Sequence, residues 1–178
     1  MTMSTRRLAF ALVALAATAH ADDKTAPGKT QTPPSKSDTK SDSKAVFFAP
    51  GELKWAPAPP VLPKNAQIAV LFGDPMKPGR FTVRLRAPDG YKIPPHWHTQ
   101  DEAVTVLQGK VVMHMGDSMT ADAHDMDAGS YHYLPGGMHH GAEIRGDTII
   151  QLEGQGPFDI HYINPADNPT PQNASAKR

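Results

Sequence analysis

His96 and His98 stand two residues apart, and a carboxylate follows at Glu102. Imidazole nitrogen and carboxylate oxygen together form a donor set for divalent transition metals. In an extended strand successive side chains alternate between faces, so His96 and His98 share one face about 6–7 Å apart. That spacing lets two rings converge on one ion. Glu102 returns to the same point only if the chain bends across Thr99-Gln100-Asp101. A further histidine is available downstream, in Pro135-Gly-Gly-Met-His-His140. Three nitrogens and one oxygen around an octahedral ion leave two positions for water, oxygen or substrate. A His-x-His pair also occurs on ordinary exposed strands. The nearby carboxylate and the flanking Gly90 and Gly109 favour the metal reading.

Short strands are expected to carry these residues. Ile68–Phe72 is an apolar run ended by Gly73-Asp-Pro75. Phe81, Val83 and Leu85 alternate with Thr82, Arg84 and Arg86, the pattern of a half-buried strand. The next strand holds His96 and His98. Ala103–Leu107 and Lys110–Met115 flank Gln108-Gly109 and are expected to form a hairpin. Gly129–Leu134, Thr148–Glu153 and Phe158–Ile163 complete the set. No segment has helical periodicity. Repeated short strands with Gly and Pro between them predict an all-β, antiparallel jelly roll or barrel. Roughly 120 ordered residues suffice for one such domain.

Gly90, His96, His98, Glu102 and Gly109 fall at the anchor spacings of the first motif of the cupin superfamily, which the chain resembles. Gly129, Pro135, Gly137 and His140 match the second motif, whose final Asn is Ile144 here. The spacer between the motifs is short, as in compact single-domain bacterial members. The resemblance covers about residues 65–165. It implies a double-stranded β-helix with one divalent ion held by His96, His98, Glu102 and His140. Iron, manganese, nickel, zinc and copper are all compatible with that set. His139 and Asp101 neighbour ligands and are expected to face away from them.

The first 21 residues read as a secretory signal peptide. Arg6-Arg7 precede an apolar run from Leu8 to Ala19, and Ala19-His20-Ala21 offers a cleavage site. The run is too short to cross a bilayer. The protein is therefore expected to be periplasmic or secreted. The arginine pair weakly resembles a twin-arginine signal. That route would allow metal loading in the cytosol. Export through the Sec route would leave the choice to the periplasm, where affinity favours copper and zinc.

Residues 22–44 carry no large apolar side chain, and their lysines and aspartates nearly cancel, so a disordered linker is expected. Residues 45–64 add Phe47, Phe48 and Trp55 to a proline-rich run. An extended arm is expected there, lying on the barrel or on a partner subunit, the latter implying a homodimer. Residues 166–178 read as a loose tail. The absence of cysteine excludes disulfides, thiolate ligands and a cysteine nucleophile. A formal net charge of +0 over the whole chain argues against nucleic acid or anionic membrane as a partner.

Met113, Met115, Met119, Met126 and Met138 lie near His114, His124 and His132. Thioethers favour Cu(I), but methionine alternating along a strand is better read as interior packing. Tyr131 and Tyr133 share one face of a strand, and His132 and Leu134 the other. Trp97 points away from its flanking histidines. His161, on the last strand, has no face assigned.

The resemblance implies an exported metalloenzyme of dioxygenase or decarboxylase type acting on a small organic molecule. The alternative is a non-catalytic binder or sensor of a metal or metabolite. Cytoplasmic regulators that hold a sigma factor through a cupin domain are a related idea, which the signal peptide opposes. The intact ligand set opposes a metal-free sugar isomerase or epimerase.

Overall fold

The computed structural model describes residues 44–120 and 122–170. The expected signal peptide and all of the expected linker except Lys44 lie outside the described residues, as does most of the expected tail. Nine strands follow in chain order: β1 (Ala56–Pro57), β2 (Gln67–Phe72), β3 (Gly79–Ala87), β4 (Lys92–Trp97), β5 (Glu102–Met115), β6 (Ala123–Asp127), β7 (Tyr131–Leu134), β8 (His140–Gly156) and β9 (His161–Tyr162). Among the described residues the helical elements are two single 3₁₀ turns, Pro50–Glu52 and Pro165–Asp167.

Every pairing is antiparallel. One path runs β1-β2-β3-β8-β4-β9, and β5 pairs with β6, β7 and β8. The long β5 and β8 run side by side from Glu102↔Gly154 to Met115↔His140 and join the two halves of the roll. β3 shows the physical rule most simply. Phe81, Val83, Leu85 and Ala87 are buried at alternate positions, while Arg84 and Arg86 face out and bind Gln151 and Gln67. Val106, Val111, Met113, Met126 and Ile144 extend the same inner face across the other strands.

Gln108-Gly109 does not form a hairpin. The fourteen residues of β5 run through it as one strand, with register shifts between Val106 and Gln108 and between Gln108 and Lys110. Gly109 has φ +75°, so it makes a bulge that bends the strand instead of reversing it. A strand over Ala123–Asp127 was also not expected. It forms by pairing with Lys110–His114, although its own sequence lacks β-branched residues.

The proline-rich arm lies on its own barrel. β1 pairs with β2, and Arg86 sits 4.5 Å above the Trp55 ring. Tyr91 and Tyr162 donate their hydroxyls to the Pro63 and Val61 carbonyls at 2.9 and 2.8 Å. Leu62 packs against the core.

The methionines do not gather at one place. Met113 and Met126 belong to the core, Met138 is exposed, and Met119 Sδ packs onto Gly141. Gly141 pairs with His114, which is buried with neither ring nitrogen hydrogen-bonded. Two unpaired buried nitrogens cost more than an apolar group of similar size. His114→Leu is therefore expected to stabilise the fold, by about 1 kcal/mol, measured by urea unfolding.

Candidate metal centre

Sheet register delivers the histidines to one place. β4 places His96 on its inner face, and His98 follows one step past the strand end. The β4–β8 pairing sets His96 opposite His140. Ring centroids lie 4.3 Å apart for His96–His140, 4.9 Å for His96–His98 and 5.4 Å for His98–His140. One ring nitrogen from each lies within 4.8 Å of the others, and all three residues are buried. β5 begins at Glu102, opposite Gly154 of β8 and Leu134 of β7. Its Oε2 is 3.0 Å from His98 Nε2, and its Oε1 is 3.8 Å from His140 Nε2. The three histidines anticipated from the sequence thus form one cluster, and the fourth residue, Glu102, lies against two of them, His98 and His140, outside that three-residue group.

Each imidazole is oriented from behind. Nδ1 of His96, His98 and His140 lies 2.7, 2.5 and 3.0 Å from the backbone carbonyls of Pro94, Asp159 and Met138. A carbonyl only accepts, so each Nδ1 carries the proton and donates. Nε2 is then left with its lone pair turned inward, which is how metal-binding imidazoles are commonly held.

Burial disfavours the charged form of His96 and pushes its pKa down to about 3. Burial likewise lowers His140. At His98 burial opposes protonation, but the adjacent Glu102 carboxylate overrides it and raises the pKa. Burial alone would raise Glu102. The hydrogen bond from His132 and the proximity of His98 reverse that and keep it ionised. His98 Nε2 nevertheless makes no hydrogen bond of good geometry, although Glu102 is 3.0 Å away. The two atoms sit side by side without a hydrogen bond, a spacing that two ligands of one ion can share. The donor set fits a divalent transition metal.

His132 is the residue whose role sequence reasoning missed. β7 pairs with β5 so that His132 lies opposite Val104, two residues from Glu102 on the same face. Its Nε2–H donates to Glu102 Oε1 at 3.0 Å. Asp159 is a second such residue. Its carbonyl holds His98, and its carboxylate accepts from Thr99 N and Oγ1 at 2.8 and 2.6 Å, anchoring the end of β4. Burial pushes the Asp159 carboxyl up, and the Thr99 hydrogen bonds outweigh that and lower it to about 2. His132→Phe is expected to weaken metal binding 10- to 100-fold while leaving the fold intact, measured by competition with a chromogenic chelator.

Several tempting side chains lie elsewhere. His139 faces away and donates to Asp117 Oδ1 at 2.5 Å. Asp101 accepts from Tyr133 and from the Gly136 amide. Tyr131 and Tyr133 are exposed. Trp97 stacks on His161 at 4.1 Å, so that histidine points away from the site. Phe158 stacks on His98 at 4.4 Å and covers one side of the cluster.

The cluster lines a half-open cavity of about 510 Å³ in the barrel. Its volume is that of small-molecule sites.

The sequence model of the ChrR cupin-like domain matches residues 43–159. The chain belongs to that family of cupins. No curated protein sequence matches it. Solved structures share the cupin fold at low identity. The polyketide cyclase RemF from Streptomyces resistomycificus superposes with a TM-score of 0.57 at 13% identity, covering 71% of this chain and 90% of that one. A putative acetylacetone dioxygenase from Methylibium petroleiphilum gives 0.56 at 20% identity, covering 72% and 87%. An acetylacetone dioxygenase from Acinetobacter johnsonii gives 0.53 at 16% identity, covering 70% and 80%. These likenesses establish the cupin barrel and leave its chemistry to the site.

Proposed function

We propose that this cupin is exported and binds one divalent transition metal through His96, His98, His140 and Glu102. There it transforms a small organic substrate by dioxygenase or decarboxylase chemistry. One observation carries the reading: three imidazoles, each fixed by a carbonyl, turn their free nitrogens to a common point in the wall of an apolar cavity. Export rests on the motif from Arg6 to Ala21. Two fold neighbours named as acetylacetone dioxygenases lend support to the oxygen-using version.

A metal bound there would supply Lewis-acid or redox activation at its open coordination positions. The chain's own residues do the rest. Glu102 brings one negative charge and is held ionised by His132. The carbonyls of Pro94, Met138 and Asp159 keep the imidazoles in the tautomer that donates a lone pair. Phe158 and the barrel walls exclude bulk water, which strengthens every electrostatic interaction inside.

A binder or sensor is the second reading. It is favoured by how few free acids or bases the described cavity residues offer: outside the cluster His132 Nδ1 is a base left without a partner, while the hydroxyls are used. Tyr91 and Thr148, for example, have their hydroxyls engaged by backbone carbonyls. Protein recovered from its native compartment, metal intact, separates the two. An enzyme consumes oxygen or releases carbon dioxide on a screened substrate and loses that in His98→Ala. A binder shows saturable ligand binding with no turnover across the same screen.

A further inference from the structure

The cavity is lined mainly by apolar side chains, and its unengaged polar groups are at the histidine cluster and beside Glu102. Its walls are made by side chains such as Val83, Leu85, Val106, Met113, Ile144 and Leu152, together with Val61 and Leu62 of the arm. The hydroxyls that reach it are already used. Tyr91 donates to Pro63, and Thr148 lies against the carbonyls of Lys110, Arg145 and Gly146. The Asp159 carboxylate is occupied by Thr99 and His161. The polar atoms left without a hydrogen-bond partner are the Nε2 atoms of the histidine cluster and His132 Nδ1 beside Glu102.

A hydroxyl or charge placed along the apolar walls would lose its water and find no partner, at a cost of roughly 1–3 kcal/mol for each neutral group. A sugar or a polycarboxylate would meet that penalty several times over. A methylene placed there gains instead.

We infer that the substrate has one oxygen-donor head group and an apolar body. The head faces the histidine cluster, and the body fills the barrel. The volume suits a chain or ring of roughly ten carbon atoms. This deepens the metal-centred reading and rests on it for the head group alone.

Three hydroxamates with one chelating head and different bodies test it: acetohydroxamate, octanohydroxamate and D-gluconohydroxamate. Each is titrated by calorimetry into metal-loaded protein. Each buried methylene should add about fourfold in affinity. The octanoyl compound is therefore expected to bind at least 100-fold tighter than the acetyl one, and the gluconoyl compound no tighter. Val83→Phe, which fills part of the cavity, should reduce the octanoyl advantage at least tenfold with acetohydroxamate unchanged. Leu152→Phe serves the same purpose should the first variant not fold. Equal binding of the acetyl and octanoyl compounds, or preference for the gluconoyl one, overturns the inference.

A second arm uses chelator-treated protein, comparing 1-octanol with ethanol by thermal shift. If no hydroxamate binds but 1-octanol raises the melting temperature more than ethanol does, the metal reading fails and the apolar body stands. If the hydroxamates bind without regard to their bodies and the alcohols behave alike, the metal reading stands and the apolar body fails.

Discussion

His140→Ala is expected to purify folded and without a bound metal. His140 sits opposite His96 in the β4–β8 pairing and brings the one nitrogen that β8 contributes to the cluster. Its loss leaves two nitrogens and a carboxylate, and the ring that made van der Waals contact with His96 is gone. Affinity should fall well beyond the 10- to 100-fold that follows loss of a ligand's hydrogen-bond partner. The fold should tolerate the change at about 1–3 kcal/mol, because the backbone pairing of β8 does not involve the imidazole.

Two measurements check this together. Elemental analysis should find one transition-metal ion per chain in the parent protein and a small fraction of that in the variant. Chelation should lower the parent's melting temperature, since a ligand that binds only the folded state stabilises it by about 2.7 kcal/mol at one hundred times its dissociation constant. The variant should melt at the same temperature with and without chelator. A parent protein that neither holds metal nor responds to chelation would sink the assignment.

The clustered histidines were legible because most of their information is local. A period of two puts His96 and His98 on one face, and the resemblance to the second cupin motif through Gly129, Pro135 and Gly137 implies that His140 joins them. His132 was not legible in that way. Its hydrogen bond to Glu102 depends on the β5–β7 register, in which Glu102 opposes Leu134 and Val104 opposes His132. Nothing within either segment states that register. β6 was hidden for a related reason, since Ala123-His-Asp-Met-Asp127 becomes a strand through its partner and not through its own preference. The unfilled interior is also a property of the assembled sheets. The apolar residues that surround it look in sequence like any core.

Gly109 is the case where the sequence points to a special backbone and reads as a hairpin turn where a bulge stands, and it carries the largest expected effect on stability. A glycine between two apolar runs marks either a turn or a bulge. Here φ is +75°, and a Cβ would press on Thr148 Oγ1 and stand 2.8 Å from the Asp147 carbonyl and 2.9 Å from Thr148 Cα. Those atoms belong to the neighbouring β8 and its own bend. Thr148 is nearly wholly buried, and its hydroxyl accepts from Lys110 N at 3.1 Å while facing the Gly146 carbonyl at the same distance. Gly109→Ala therefore combines two costs. A left-handed backbone for a non-glycine residue costs about 1 kcal/mol or more. Displacing Thr148 breaks a buried hydrogen-bond group, worth a further 1–3 kcal/mol. The sum, about 3 kcal/mol, should appear as a lower urea midpoint with an unchanged slope. Gly116→Ala supplies the control. Its φ is +87°, yet a Cβ there meets open space, so only the backbone cost of about 1 kcal/mol should remain. Equal losses at the two positions would show that the crowding against Thr148 contributes nothing. The bulge would then be a matter of backbone angle alone.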